Sequence, residues 1–136
     1  MNNAKDIIIN EKLTCCIVAG DKIYKSTKRG VAPLVQWYDE GCDMKDASCA
    51  DKVVGKAAAY LYVLLGVKEV FAGIISEKAK EVFLRFGISF TYFECVPAII
   101  NRTGDGLCPM ETAVSAIDDP EDALYAVKEK MKELSR

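Results

Sequence analysis

The chain contains no histidine. This excludes Ser-His and Cys-His nucleophilic pairs and imidazole metal ligands, so any proton transfer falls to carboxylates, thiols, lysines or tyrosines. Disulfide-type cysteine spacing is also missing. Cys15, Cys16, Cys42, Cys49, Cys95 and Cys108 are irregularly placed, and none forms a C-x-x-C pair. With a sizeable core available, they read as reduced thiols rather than a disulfide frame. No basic tract or arginine-aromatic interleaving occurs, so a nucleic-acid polymer is not an expected partner. The longest apolar stretch, Val53 to Val67, contains lysine and tyrosine and is too short to span a bilayer. The opening "MNNAKDIIINEK" lacks the basic head and long apolar run of a signal peptide. Together these absences predict a cytoplasmic protein with no membrane partner, no metal and no cofactor.

What is present suits a single globular domain over residues 1–136. Hydrophobic residues make up 51% and charged residues 28%, with a net charge of −2; that balance permits one core and argues against disorder. "LTCCIVA" (Leu13 to Ala19), closed by Gly20-Asp21 and followed by "KIYKS", predicts a β-hairpin. "APLVQWYDEG" predicts a short helix with Pro33 in its first turn and Gly41 past its end. Cys42 to Ala50 reads as a loop. "DKVVGKAAAYLYVLL", Asp51 to Leu65, predicts a helix that is apolar nearly all round in its second half. "KEVFAGI" predicts a strand, and Ser76 a cap for the helix "EKAKEVFLRF", which Gly87 ends. "ISFTYFEC" predicts the next strand. An extended stretch, "VPAIINRTGDGL", then leads to a helix opening at Cys108-Pro109, and a last helix starts at Asp119-Pro120.

Strands joined through helices are parallel neighbours with right-handed crossovers, so this order predicts an α/β fold: a mixed sheet with helices on both faces. Ligands of such sheets gather outside the carboxyl ends of the parallel strands. The start of the buried helix near Asp51, the Ser76 cap and the loop after Cys95 meet there, and a folded-back loop would add Cys108.

"TGDGLCPMET", residues 103 to 112, is the most informative stretch at that rim. With Cys108 as N-cap, Pro109 takes the first helical position and Glu111 the third, where it can reach back to a backbone N–H. Cysteine is a poor cap, whereas a thiol at a helix start gains reactivity. Gly104 and Gly106 suit either close backbone approach to a ligand or a tight turn. On a helix beginning at Asp51, Lys52 and Lys56 share one face, and two lysines in a first turn oppose the helix dipole unless an anion sits nearby. Asp51 is then the N-cap or a ligand partner. Asn101 and Arg102 extend the rim. Cys15 and Cys16, adjacent in a strand, point to opposite faces and suit packing, as does Cys95 at a strand end. Trp37 and Tyr38 suit the core, a cover over the site or an oligomer contact.

The stretches "GVAPLV" (Gly30 to Val35), "DKVVGKAAA" (Asp51 to Ala59) and "GDGLCPME" (Gly104 to Glu111), with this element order, resemble a family of small uncharacterised bacterial proteins with a cytidine-deaminase-like fold. The resemblance implies a three-layer arrangement and homo-oligomers, and it carries no activity. Zinc deaminases place a His/Cys-x-Glu at the start of the buried helix and Pro-Cys-x-x-Cys at the start of the next. Here "CAD" (Cys49 to Asp51) resembles only a degraded form of the first, and "GIISEKAK" contains no cysteine. One thiolate does not hold zinc, so a zinc-dependent deaminase is not expected. The expected function is binding of a small anionic ligand, a nucleotide by analogy of fold, at Asp51, Lys52, Lys56, Asn101, Gly104, Gly106, Cys108 and Glu111. The alternatives are a thiol enzyme using Cys108 with Glu111 or Asp51, and a structural oligomerisation module.

Overall fold

A computed structural model describes residues 3–28, 30–101 and 103–135. Within these residues the elements are α1 (Asn3–Glu11), β1 (Cys15–Ala19), β2 (Lys22–Ser26), α2 (Ala32–Asp39), β3 (Ser48–Val54), α3 (Lys56–Leu65), β4 (Glu69–Ser76), α4 (Glu77–Phe86), β5 (Ser89–Val96), α5 (Pro109–Val114) and α6 (Pro120–Leu134). The five strands form one mixed sheet in the order β2-β1-β3-β4-β5. β1 runs antiparallel to both β2 and β3, while β3, β4 and β5 run parallel. The hairpin and the parallel pair β4 and β5 joined through α4 agree with the sequence reading, which has no counterpart of β3.

Asp51 to Val54 depart from it. They are not the first turn of a helix but the second half of a central strand, in which Asp51 pairs with Cys15 on one side and Ala72 on the other. The residues 48–50 that read as loop belong to the same strand. Two β-branched valines disfavour a helix start here, and ladder bonds to neighbours on both sides decide the matter. The helix begins only after Gly55, an extended N-cap at φ −103° and ψ −174°, and ends at the left-handed Gly66. Lys52 and Lys56 therefore stand on different elements and share no helix face.

Helix α1 has no counterpart in the sequence reading, because the run Ile7-Ile8-Ile9 is a poor helix former. Tertiary burial overrides propensity: Ala4 and Ile8, one turn apart, close over Cys16 and Ala50 on one face of the sheet. Burying Ile8 alone is worth about 2 kcal/mol. On the other face, Cys15, Ile17 and Cys49 join the main core with α2, α3 and α4. The two adjacent cysteines thus serve two separate clusters. α3 is the centre of the main core, with Tyr60, Leu61 and Tyr62 fully buried. Tyr62 packs against Phe83 at 6.5 Å between ring centroids, and Phe83 against Phe90 at 5.7 Å. Trp37 is buried against Tyr24 at 5.7 Å and Tyr38 is half-buried against the same core, so the pair belongs to packing.

Local chemistry fixes the remaining ends. Ser76 Oγ accepts the N–H of Ala79 at 3.1 Å at the start of α4, and Asp119 does the same for Asp122 at 3.0 Å in α6. At Gly73 a β-carbon would stand 2.7 Å from the Lys52 carbonyl oxygen, so β3 and β4 approach as they do only because residue 73 lacks a side chain.

Candidate functional site

A half-open cavity of about 730 Å³ lies at the carboxyl end of β3, walled by the start of α3, the 99–110 segment, the turn before α2 and the end of α6. Its volume falls in the range that holds a small organic molecule. Its surface is mostly apolar, with Val31, Val53, Ile99, Met110, Met131 and Leu134 among the lining residues. Lys28 and Lys52 supply positive charge to its lining, and Asp51 and Glu111 supply carboxylates.

Asp51 is the one charged side chain among the described residues that is buried. Tyr62 Oη donates to its Oδ2 at 2.7 Å, and the Val53 N–H reaches its Oδ1 at 3.3 Å. Cys15 Sγ stands 3.4 Å from Tyr62 Oη. Either atom of that pair can donate; when Asp51 is ionised the single phenol proton goes to the carboxylate, and the Cys15 thiol then donates to Tyr62. Desolvation pushes the Asp51 carboxyl up to about 7, against the pull of the Tyr62 and backbone hydrogen bonds. Burial likewise pushes the Tyr62 phenol and the Cys15 and Cys49 thiols well up, so all three stay protonated at neutral pH. With Asp51 ionised, the result is a chain from thiol to phenol to carboxylate that ends at the cavity.

Glu111 has a different role from the reach-back within its own helix. Its two oxygens accept the N–H groups of Lys56 at 2.7 Å and Ala57 at 3.1 Å, capping α3 from α5. The anion that the start of the buried helix calls for is this internal carboxylate, at the place where the sequence suggests a ligand. Gly55 is the companion feature, since a β-carbon there would collide with the Glu111 carboxylate. Burial raises the Glu111 carboxyl above its ordinary value, with the Ala57 and Lys56 N–H groups and the Lys56 charge opposing.

Lys56 is not part of the cavity wall. Its Nζ donates to the Ser115 carbonyl at 3.1 Å and lies 5.9 Å from the Tyr60 ring centroid. Tyr60 Oη in turn donates to the Ile117 carbonyl at 3.1 Å. Together with Glu111, these contacts pin the 111–117 segment along α3. The lysine pair predicted on one face is thus split: Lys52 lines the cavity, and Lys56 holds the end of α5.

Residues 99–101 and 103–108 come together as a small hairpin closed by an Ile100–Leu107 bridge. Asn101 Oδ1 accepts the N–H groups of Gly104 at 2.9 Å and Asp105 at 3.2 Å, while its Nδ2 donates to Asp105 Oδ1 at 3.0 Å. Thr103 Oγ1 donates to the same Asp105 oxygen at 2.6 Å. These bonds from Thr103 and Asn101 hold the Asp105 carboxyl below its usual range. Gly104, at φ 77°, is required by the turn, and Gly106 accepts the Asn101 N–H on its carbonyl. Asn101 lines the cavity, but its polar atoms organise the loop. Arg102 lies outside the described residues.

Cys108 also lines the cavity, as the N-cap of α5 with no side-chain capping bond. With both Glu111 oxygens occupied by α3 and Asp51 bonded to Tyr62, neither carboxylate is hydrogen-bonded to this thiol. Cys95 is half-buried rather than buried and donates to Glu77 Oε1 at 3.1 Å. None of the six cysteines is in a disulfide.

The structure therefore brings Asp51, Lys52, Asn101, Cys108 and Glu111 to one cavity and leaves Lys56 outside it. Tyr62 and Lys28 are not singled out by the sequence. A tyrosine inside an otherwise apolar helix needs a buried partner for its hydroxyl, which is the signal that points to Tyr62. Lys28 follows a strand in an ordinary polar turn and carries no such signal.

No helix among the described residues is long and apolar enough to cross a membrane. No protein of curated function matches the chain. A solved structure is similar: the crystal structure of a DUF1893 family protein (TM1506) from Thermotoga maritima, 30% identical, with a TM-score of 0.86 over 93% of this chain and 86% of that one. The family model described as TM1506, domain of unknown function (DUF1893), matches residues 3–131, almost the whole length of the fold just described. The chain belongs to the DUF1893 family.

Proposed function

We propose that the protein binds a small organic molecule in the cavity at the carboxyl end of β3, with the molecule's apolar body over Val31, Val53, Ile99 and Met110 and its anionic group towards Lys28 and Lys52. The observation that carries this reading is an apolar cavity of ligand size whose lining holds both an exposed lysine, Lys52, and a buried carboxylate, Asp51. A nucleotide is one such molecule, and it is favoured by the cytidine-deaminase-like arrangement that the hairpin, the buried α3 and the parallel strands support. Calorimetric titration with benzoate, a small aromatic anion, tests the reading on wild type and on a Lys28→Ala/Lys52→Ala variant. Binding that weakens in the variant with an unchanged melting temperature supports it. Equal binding to both removes the lysines from the site, and no binding to wild type at millimolar benzoate counts against the cavity as an anion-accepting site.

A thiol enzyme built on Cys108 is a second reading, favoured by the position of that thiol in the cavity lining. It requires Glu111 to leave the α3 N-terminus before it can take a proton. Self-association belongs to the proposal as well. The edge strand β5 and the flank of α4 expose Phe93 and Leu84 at 85% and 70%, more than a solitary fold needs. Light scattering that gives a single-chain mass at micromolar concentration would remove it.

A further inference from the structure

We propose that Asp51 is the recognition residue of this cavity and that it selects molecules whose buried end presents a planar fork of N–H donors, an amidinium or guanidinium group, on an apolar body. The inference rests on the cavity being a ligand site and adds which chemistry its inner end takes.

Three observations converge on Asp51. It is buried, yet no lysine or arginine among the described residues forms an ion pair with it. Buried carboxylates are otherwise paired with cations or metals, because an isolated one is costly. Its hydrogen bonding is also incomplete. An ionised carboxylate has about four acceptor positions. Tyr62 takes one on Oδ2 at 2.7 Å and the Val53 N–H takes one on Oδ1 at 3.3 Å, so each oxygen keeps a position free. The neighbouring Lys52 N–H also favours the carboxylate electrostatically, but its hydrogen bond goes to the Thr14 carbonyl at 2.9 Å. Two free positions, one on each oxygen, match the two parallel N–H groups of an amidinium or guanidinium. Finally, the side chain is held in place from behind. Cys15 Sγ stands 3.4 Å behind the Tyr62 hydroxyl, and Tyr62 fixes the carboxylate while Asp51 lines the cavity. Preorganisation of this kind lowers the ordering cost of binding.

The charge pattern completes the match. A molecule with an N–H fork at one end and an anionic group at the other would place the first on Asp51 and the second on Lys52 or Lys28, across walls of Val53, Ile99 and Met110. Glu111 also lines the cavity with one N–H on each oxygen, but its charge is already matched by the partial positive charge of the α3 N-terminus and by Lys56, whereas Asp51 has no ion-pair partner among the described residues.

The test is calorimetric titration with 4-amidinobenzoate and, separately, benzoate, on wild type, Asp51→Asn and Tyr62→Phe. The asparagine side chain keeps an acceptor for Tyr62, and thermal melts confirm that each variant is folded. The expected result is that 4-amidinobenzoate binds wild type more tightly than benzoate. It should bind Asp51→Asn about tenfold or more weakly, as loss of a charge-assisted bond implies, and Tyr62→Phe with a smaller loss. Benzoate, which has no N–H fork, should bind Asp51→Asn no more weakly than wild type, because the change removes a negative charge from the cavity. If benzoate binds and 4-amidinobenzoate binds no better, or if Asp51→Asn binds both probes as wild type does, the role of Asp51 is overturned while the cavity reading stands. If neither probe binds wild type at millimolar concentration, both fall.

Discussion

Replacing Asp51 by asparagine should make the protein more stable at pH 8 and leave it nearly unchanged at pH 4. Burial raises the Asp51 carboxyl from 3.8 to about 7 in the fold. The folded state therefore holds this proton more tightly than the unfolded chain does. The stability it contributes is fully present below pH 4, declines as pH rises towards 7, and is lost above that. At 1.36 kcal/mol per pH unit, ionising Asp51 in place costs about 4 kcal/mol. Asparagine has nearly the same shape, stays neutral, and offers Tyr62 an acceptor. It cannot accept the Val53 N–H through its amide nitrogen, a loss of about 1 kcal/mol. The net gain at pH 8 is then about 3 kcal/mol, equivalent to a rise of about 10 °C in melting temperature for a chain of this size. Urea melts of both proteins at pH 4.5 and pH 8 measure it; groups remote from Asp51 cancel in the difference, and Tyr62, Cys15 and Cys49, which feel its charge, stay protonated at both pH values. A variant less stable than wild type at pH 8, or a difference independent of pH, would refute the reasoning. The gain would also mean that wild type carries a costly carboxylate that the fold does not need, as binding sites often do.

Glu111→Ala should lose about 2 kcal/mol in urea melts, because two partly buried N–H groups of α3 lose their acceptor. Glu111→Gln should fall between it and wild type. Gly55→Ala should cost at least as much as Glu111→Ala, and the double variant less than the sum, since the added methyl collides with the carboxylate that the second change removes. Tyr62→Phe should cost about 2 kcal/mol at pH 8, where it takes a donor from an ionised Asp51, and less at pH 4.5. Under native conditions iodoacetamide should modify Cys42, Cys95 and Cys108 and spare the buried Cys15, Cys16 and Cys49, as peptide mass mapping will report. Modification of the buried three at the same rate would contradict the packing described for β1 and β3.

Much of this architecture is legible in the residues themselves. The hairpin needs only an apolar run and a Gly-Asp turn, and α4 announces its limits with Ser76 and Gly87. What the sequence conceals is where competing tendencies are settled by distant partners. "DKVVGKAAA" contains a strand end, a cap and a helix start, and the boundary falls at Gly55 because β1 and β4 pair with the residues before it. Starting the helix at Asp51, as local pattern suggests, turns a strand residue into a helix cap and puts two lysines on one face. The rim lies at the expected end of the sheet, since topology alone dictates that position. The identity of the anion at α3 is invisible in the sequence, because Glu111 lies 55 residues from the Lys56 N–H group that it accepts. Asn101 is recognisable as a turn residue, and its cross-bonding with Thr103 and Asp105 follows from the ordinary chemistry of such turns.

The central claim is that the cavity at the end of β3 is built to hold a small molecule. Native mass spectrometry of freshly purified protein, compared with its denatured mass, tests it most directly, with a Val53→Trp variant whose larger side chain fills the cavity as control. A small-molecule mass is expected on wild type, lost on denaturation and missing from the variant. Wild type that carries no added mass, or an adduct retained equally by Val53→Trp, would contradict it.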